Sequence, residues 1–373
     1  MADAVNEATR LVTTEAGLRD AIGACRAVGA VAVDTEFMRT NTYYPAVGLL
    51  QLSDGESCWL VDPLAVDIRA VADLFADTSV VKVLHACSED LEVFATSVGE
   101  LPAPLYDTQV AAAILGDGYS LSYQALIERE LNVTLAKDQT RSDWLARPLS
   151  DEQLHYAAQD VYYLVRAWDT QQSRLAERGE WVREECAGLA QTPLSAADPG
   201  DAYLRVKGGW KLQPEEQHVL RETARWRESF ARGNDVPRNR VAEDASLIAV
   251  ARGADSKGAL SRAGMHPRAL RKYAQELLGV AEAARRSTPD DLPALPRPSP
   301  ANSNAMMKRL KAHVAREAER IGIETQMLAT RRHLEALLRT RDESGRVSLP
   351  GSLSGWRRAL IGDGLLAIAN EEA

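Results

Sequence analysis

The run VAVDTEF places Asp34 and Glu36 two positions apart in a segment of strand-like composition. Successive strand side chains point to opposite faces, so the two carboxylates share one face while Val33, Thr35 and Phe37 point to the other. Two acids this close repel unless something positive lies between them, and hard divalent cations such as Mg²⁺ or Mn²⁺ favour such oxygen ligands. A solvated edge strand is the plainer reading of the pair alone, and the flanking apolar residues weaken it. In VVKVLHACSEDLEVF a strand runs through a turn into a helix, with Ser88 as N-cap and Asp90 in the first turn. A carboxylate there complements the helix dipole, so capping and metal ligation both stand open for Asp90, with Glu89 and Glu92 as competing acids. His85, at the end of that strand, is placed to ligate a metal, touch a substrate or make a structural hydrogen bond. In SDEQLHYAAQDVYYLVRAW, Tyr156 and Asp160 lie four apart and share one helix face, a phenol beside a carboxylate.

These residues need a scaffold that brings them together. Strand patterns occur at Leu11 to Thr13, Val31 to Met38, Val47 to Ser53, Ser57 to Val61 and Val80 to His85, with a helix over Ile68 to Phe75. Gly48 weakens the third of these. Beyond Ser88 the period becomes helical: Ser88 to Val98, Asp107 to Leu115 with Asp107 as N-cap, Leu121 to Leu131, and one long stretch from Ser150 to about Arg178. Two segments rich in proline and small polar residues, Gln191 to Asp201 and Ser287 to Pro300, read as linkers. They divide the chain into an α/β domain at 1–195 and two small helical domains at 203–287 and 298–373.

With 373 residues, 45% of them hydrophobic and 26% charged, the chain is an ordinary globular sequence of two or three domains, which excludes a fibrous or wholly disordered protein. No apolar run reaches the ~18 residues a bilayer crossing needs, so no membrane is expected as a partner. The four cysteines have neither zinc-site spacing nor a compact disulfide pattern, which fits a reducing cytoplasm. The net charge of −9 conceals an asymmetry: residues 1–195 carry −16 and residues 196–373 carry +7. An acidic part that concentrates cations, joined to a basic part that grips a polyanion, accounts for that division. In the basic part, Arg225, Arg227, Arg238, Arg240, Arg262, His266, Arg268, Arg271 and Lys272 supply charge for phosphates without reading sequence. A protein-interaction module is the rival reading.

The ordered set Asp34-x-Glu36, Asp90, Tyr156-x-x-x-Asp160 resembles the motifs of the DEDDy superfamily of 3′-5′ exonucleases. Within it, VAVDTEFMR, LLQLSDG, KVLHACSEDLEVF, LYDTQVAAAILG, RSDWLARPLS and YAAQDVYYL together resemble the bacterial ribonuclease D family over about residues 8 to 190. EEQHVLRETARWRESFARGNDVPRNRVAEDASLIAVA is similar to an HRDC helical domain, and a more divergent one follows Pro300. The resemblance implies an RNase H-like exonuclease fold, a mixed central sheet flanked by helices, followed by two small all-α HRDC-like domains. It implies two divalent metal ions (Mg²⁺ or Mn²⁺) and hydrolysis of RNA from a free 3′ end to 5′-nucleoside monophosphates, with precursor tRNA as substrate. Asp34 would bridge both ions, Glu36 and Asp160 would complete the shell of the first, Asp90 would hold the second, and Tyr156 would orient the nucleophile. Phe37, Met38, Tyr43, Tyr44, Gln51, His85, Arg141 and Trp144 are candidates for contacting substrate. The chain is expected to act as a monomer. A DNA-directed exonuclease of the same superfamily and a non-catalytic RNA-binding scaffold are the alternatives, the intact acid set standing against the second.

Overall fold

The computed structural model describes residues 2–135, 142–191, 198–287, 295 and 303–371. The chain forms two compact units, one of residues 1–38, 47–193 and 299–373, the other of residues 39–46 and 194–298.

The first unit is built on a six-stranded sheet: β1 (Thr9–Val12), β2 (Ala30–Met38), β3 (Ala46–Ser53), β4 (Cys58–Val61), β5 (Val81–Leu84) and β6 (Leu105–Asp107), in the order β1-β4-β3-β2-β5-β6. It is mixed, as expected: β1 runs parallel to β4, β2 to β5 and β5 to β6, whereas β3 and β4 are antiparallel. The N-terminal part of β2, Ala30 to Val33, is apolar and fully buried between two neighbours, and burial loosens where Asp34 and Glu36 begin. A central strand thus carries the acids out of the core at its C-terminal end. The sixth strand is absent from the sequence reading because its three residues, LYD, are too few to show an alternation and run directly into the Asp107 cap.

The long helix expected from Ser150 to Arg178 is two helices, Asp151–Tyr162 and Leu164–Leu175, followed by a 3₁₀ turn at Ala176–Arg178. The break falls at Tyr163, whose amide pairs with the Val161 carbonyl, while its ring meets that of Tyr162 edge-on at 4.9 Å. Helical periodicity continues on both sides, so the pattern hides the joint. The linker segments fall mostly outside the described residues, but Pro199–Arg205, which overlaps the first, is a 3₁₀ helix.

The C-terminal helices, Ser303–Ile321, Thr325–Leu328, Arg331–Arg339 and Asp363–Asn370, share one hydrophobic core with the sheet rather than forming their own. Trp356 stacks on Trp181 at 5.1 Å and Arg357 pairs with Glu185 while donating to the Leu328 and Met327 carbonyls. Arg178 donates to the carbonyls of Ile321 and Gly322, and a Cβ on Gly116 would stand 2.8 Å from the Gly322 carbonyl oxygen. The second unit is a helical module, with Pro214–Gly233 and Pro267–Arg286 as its long helices and Leu220, Ala224, Leu247 and Leu277 in its core.

Candidate active site

Asp34 and Glu36 occupy alternate positions on β2, as strand geometry requires. Asp90 lies in the first turn of the helix Ser88–Ser97. That helix is entered through Cys87 without a side-chain cap, so Ser88 is its first residue and not its N-cap. The launch of the helix is instead fixed by Asp107, whose carboxylate accepts from the amides of Ala86, Cys87, Gln109 and Val110. Asp107 is thus the N-cap expected for the helix Thr108–Leu115, and it also ties the turn before Asp90 to the end of β6. Ser150 caps the helix Asp151–Tyr162 reciprocally with Gln153, and one turn of that helix separates Tyr156 from Asp160, close enough for each to shift the other's titration.

The four carboxylates feel one another. Burial raises Asp34 well above the ordinary carboxylate range, and the charges of Asp90, Asp160 and Glu36 push it further. Glu36 is raised to about 8 by burial and then by Asp160 and Asp90. Asp90 and Asp160 rise chiefly through burial, opposed by hydrogen bonds from Thr35 and Tyr156 respectively. The same negative charges, added to burial, raise the Tyr156 phenol, which therefore stays protonated and able to donate. Among the described residues no Lys or Arg forms an ion pair with any of the four acids. Nor, among those residues, do three His, Cys, Asp or Glu groups already stand as a ready-made chelate. Four half-buried or buried acids with no cationic partner among the described residues fit hard divalent cations by donor chemistry and by charge.

Raised carboxylates leave a mark on stability. A group whose folded pKa exceeds its unfolded value of about 4 favours the fold only while protonated, so its contribution is lost as pH climbs through the folded value. The metal-free protein is therefore expected to lose melting temperature between about pH 4 and about pH 8, the value reached by Glu36, and to lose less of it in Asp34→Asn. Thermal melts of both proteins in chelator across that range check this; parallel profiles would contradict it.

Two residues near the acids were not foreseen. Thr35, assigned to the far face of β2, donates its hydroxyl to Asp90 Oδ1 and so tethers the second acid to the first acid's strand. Tyr123 donates to the Gln159 carbonyl at 2.6 Å, beside Asp160, and its phenol is raised by burial and by the charges of Asp160 and Asp34. The DTE spacing contains Thr35, but nothing in the sequence points to Tyr123.

The candidate substrate contacts divide. Phe37 and Met38 pack partly buried against the sheet core. Gln51 is fully buried, with neither amide atom hydrogen-bonded. His85 has both ring nitrogens engaged, Nδ1 with the Thr108 hydroxyl at 2.9 Å and Nε2 with the Leu121 carbonyl at 3.1 Å, and burial lowers its pKa. Trp144 is buried with its ring 6.2 Å from that of Tyr156. Tyr43 and Tyr44 belong to the helical unit, Tyr43 in its core. Arg141 lies outside the described residues.

In the helical unit, part of the expected positive surface is used internally. Arg227 is buried on Asp244 and the Ala242 carbonyl, Arg238 holds Glu228, and Arg225 pairs with Glu222. Arg240, His266, Arg268 and Lys272 line an open cavity of about 500 Å³ with Asn41 and Asn239, where Glu243 is the one acid.

A mixed sheet that delivers two acids from its central strand, beside an acid at a helix start and a tyrosine-aspartate pair, defines a nuclease of the 3′-5′ exonuclease class, and that family matches residues 9–176. Residues 216–280 match the HRDC domain family and residues 303–365 the C-terminal HRDC domain of ribonuclease D. Ribonuclease D of Pseudomonas paraeruginosa is 44% identical over 341 residues, covering 90% of this chain and 91% of that protein. Ribonuclease D of Escherichia coli is 36% identical over 374 residues, covering 97% and 98%. The crystal structure of the Escherichia coli protein, described as an exoribonuclease involved in structured RNA processing, superposes with a TM-score of 0.89 at 34% identity over 97% of this chain and 99% of that one. The chain belongs to the ribonuclease D family and is a 3′-5′ exoribonuclease. Among the described residues no helix is long and apolar enough to cross a membrane.

Proposed function

We propose that this exoribonuclease trims the 3′ ends of structured RNA, precursor tRNA in particular, by hydrolysis at a site of two divalent cations, working as a cytoplasmic monomer. The observation that carries the reading is the convergence of Asp34, Glu36, Asp90 and Asp160, mutually repelling and without a cationic partner among the described residues. The residues that would hold the ions are Asp34 for both, Glu36 and Asp160 for the first and Asp90 for the second. When bound, Mg²⁺ or Mn²⁺ would supply charge neutralisation at the phosphate and acidify water for attack.

The chain's own groups do the rest. Tyr156, held protonated one helical turn from Asp160, can orient an attacking water without adding charge. Thr35 keeps Asp90 facing β2. The cavity framed by Arg240, Arg268 and Lys272 offers phosphate contacts that carry no sequence preference, as a substrate varied in sequence needs. Four buried free cysteines accord with a reducing compartment.

A 3′-extended tRNA digested with Mg²⁺ or Mn²⁺ by wild type tests the assignment. Stepwise shortening with 5′-nucleoside monophosphates is expected; internal fragments or cleavage in chelator would overturn it, and equal turnover of a matched DNA would favour a DNA 3′ end as substrate. Tyr156→Phe is expected to retain cation binding by calorimetry and to lose about 10² in turnover, the worth of one positioned proton donor. Lys272→Glu is expected to weaken RNA binding at every sequence and to flatten the slope of affinity against salt by about one unit, measured by titration at several salt concentrations.

A further inference from the structure

The eight residues joining β2 to β3 leave the sheet unit and fold as part of the helical one. Tyr43, at their centre, is 2% exposed in the helical core. Its hydroxyl donates to Glu228 Oε1 at 2.5 Å and accepts from Arg232 Nε at 3.1 Å and Arg238 Nη2 at 2.9 Å. Both guanidinium groups also lie over its ring, at 5.8 and 4.9 Å. The backbone is held as firmly: Asp235 Oδ1 accepts from the amides of Tyr43 and Tyr44 at 2.8 and 2.9 Å. Arg39 donates twice to the Tyr43 carbonyl, and Arg240 donates to Asn41 Oδ1 and to the Thr40 carbonyl.

The loop is covalently continuous with the acids' strand. Arg39 follows directly on Met38, the last residue of β2, and stands three positions from Glu36. A loop left in water would leave the end of β2, where burial loosens, freer to fray, since the loop's backbone groups would have water as an alternative partner. Here the loop that continues the strand is held within a separate folded core.

We propose that Asp235 and Glu228, acting through the loop at Tyr43, are positioning residues for the active site: the first helical module fixes the end of β2 and thereby the placement of Asp34 and Glu36. The module's contribution to turnover is then distinct from any grip on RNA. The inference rests on the reading of Asp34 and Glu36 as catalytic acids.

Asp235 is the position to test. It is exposed and holds a left-handed φ of +49°, which Gly adopts without strain and Asn tolerates. Asp235→Gly therefore deletes the acceptor and keeps the backbone, while Asp235→Asn keeps an acceptor oxygen. In the full-length chain, Asp235→Gly is expected to lower kcat about tenfold on a short and a long single-stranded RNA alike, because displacements of ~1 Å at reacting groups cost up to 10². KM should stay within about twofold, the Mn²⁺ concentration for half-saturation by calorimetry should rise, and Asp235→Asn should restore both. Tyr43→Phe, which keeps the ring in the core, should show the same kcat loss in smaller measure. Wild-type kcat in both Asp235→Gly and Tyr43→Phe, or a change confined to KM for the long RNA, overturns the proposal. An inactive Asp34→Asn beside wild-type kcat in both Asp235→Gly and Tyr43→Phe sinks the clamp alone, whereas an active Asp34→Asn sinks the reading of the site beneath it.

Discussion

Asp34→Asn is expected to slow the release of mononucleotides from an RNA 3′ end by about a hundredfold to a thousandfold, and at the same time to raise the melting temperature of the metal-free protein at pH 8. The two effects have one cause. Asp34 sits among three other acids whose charges all press on it, and no basic side chain among the described residues relieves them. Removing one negative charge from that group eases the repulsion and spares the fold the cost of ionising a half-buried carboxyl. The same charge is what a pair of cations and a phosphate under attack would require, and loss of one electrostatic stabiliser at a reacting centre costs about 10² to 10³ in rate. Asparagine preserves size and one oxygen, so β2 keeps its shape. Quantified product release in Mn²⁺, with calorimetric melts in chelator, reads both halves. Turnover above a tenth of wild type, or a melting temperature that falls, would contradict the account.

Gly48→Ala is expected to destabilise the first unit by about 2 to 3 kcal/mol, in the range of overpacked cores, and to reduce turnover well beyond what that loss alone explains. A Cβ at this position of β3 would lie 2.5 Å from the Trp144 carbonyl oxygen and 2.6 Å from its Cβ, and a backbone atom cannot step aside as a side-chain tip can. The segment that would be displaced is stapled down. Arg147 reaches the Asp62 carboxylate with two nitrogens at 2.7 Å each, and donates to the Gly48 carbonyl at 2.7 Å and the Trp144 carbonyl at 2.9 Å. That guanidinium also holds the Asp62 carboxyl below its ordinary range. Pushing the Trp144 backbone off β3 strains this cluster and moves the indole that leans on the Tyr156 ring. Denaturant melts and initial rates at saturating RNA separate the two effects; unchanged rates would show that Trp144 does not position Tyr156.

Much of this arrangement was legible from spacing. Period-two and period-four placements told which acids share a face, and apolar runs located β2 to β5 to within a few residues. What escaped was information that resides in partners distant along the chain. Gly48 read as a defect in a strand, because its purpose is to admit a backbone nearly a hundred positions away. Thr35 read as pointing away from the acids, because Asp90 approaches β2 from the face that alternation assigns to core. Tyr43 and Tyr44 read as candidates for contacting substrate, because aromatics close after the acids' strand carry no sign that a helical core more than 180 residues on will enclose one of them. The break at Tyr163 escaped because the same hydrophobic face continues across it. Cap chemistry was mixed for a related reason: Asp107 acts on the amides of its own helix and was readable, whereas the helix of Asp90, read as capped by Ser88, is started by a carboxylate belonging to another strand.

The helices beyond residue 303 close the same apolar interior that the sheet opens. During synthesis, the sheet and its flanking helices leave the ribosome first, and the faces around Trp181 and Gly116 then wait, still wet, while the whole intervening helical unit is made. Newborn chains of this protein thus pass through a stage in which a nearly finished nuclease shows bare hydrophobic surface, the condition under which chaperones bind and neighbouring copies stick. A premature stop that removed these helices would leave that surface exposed for good.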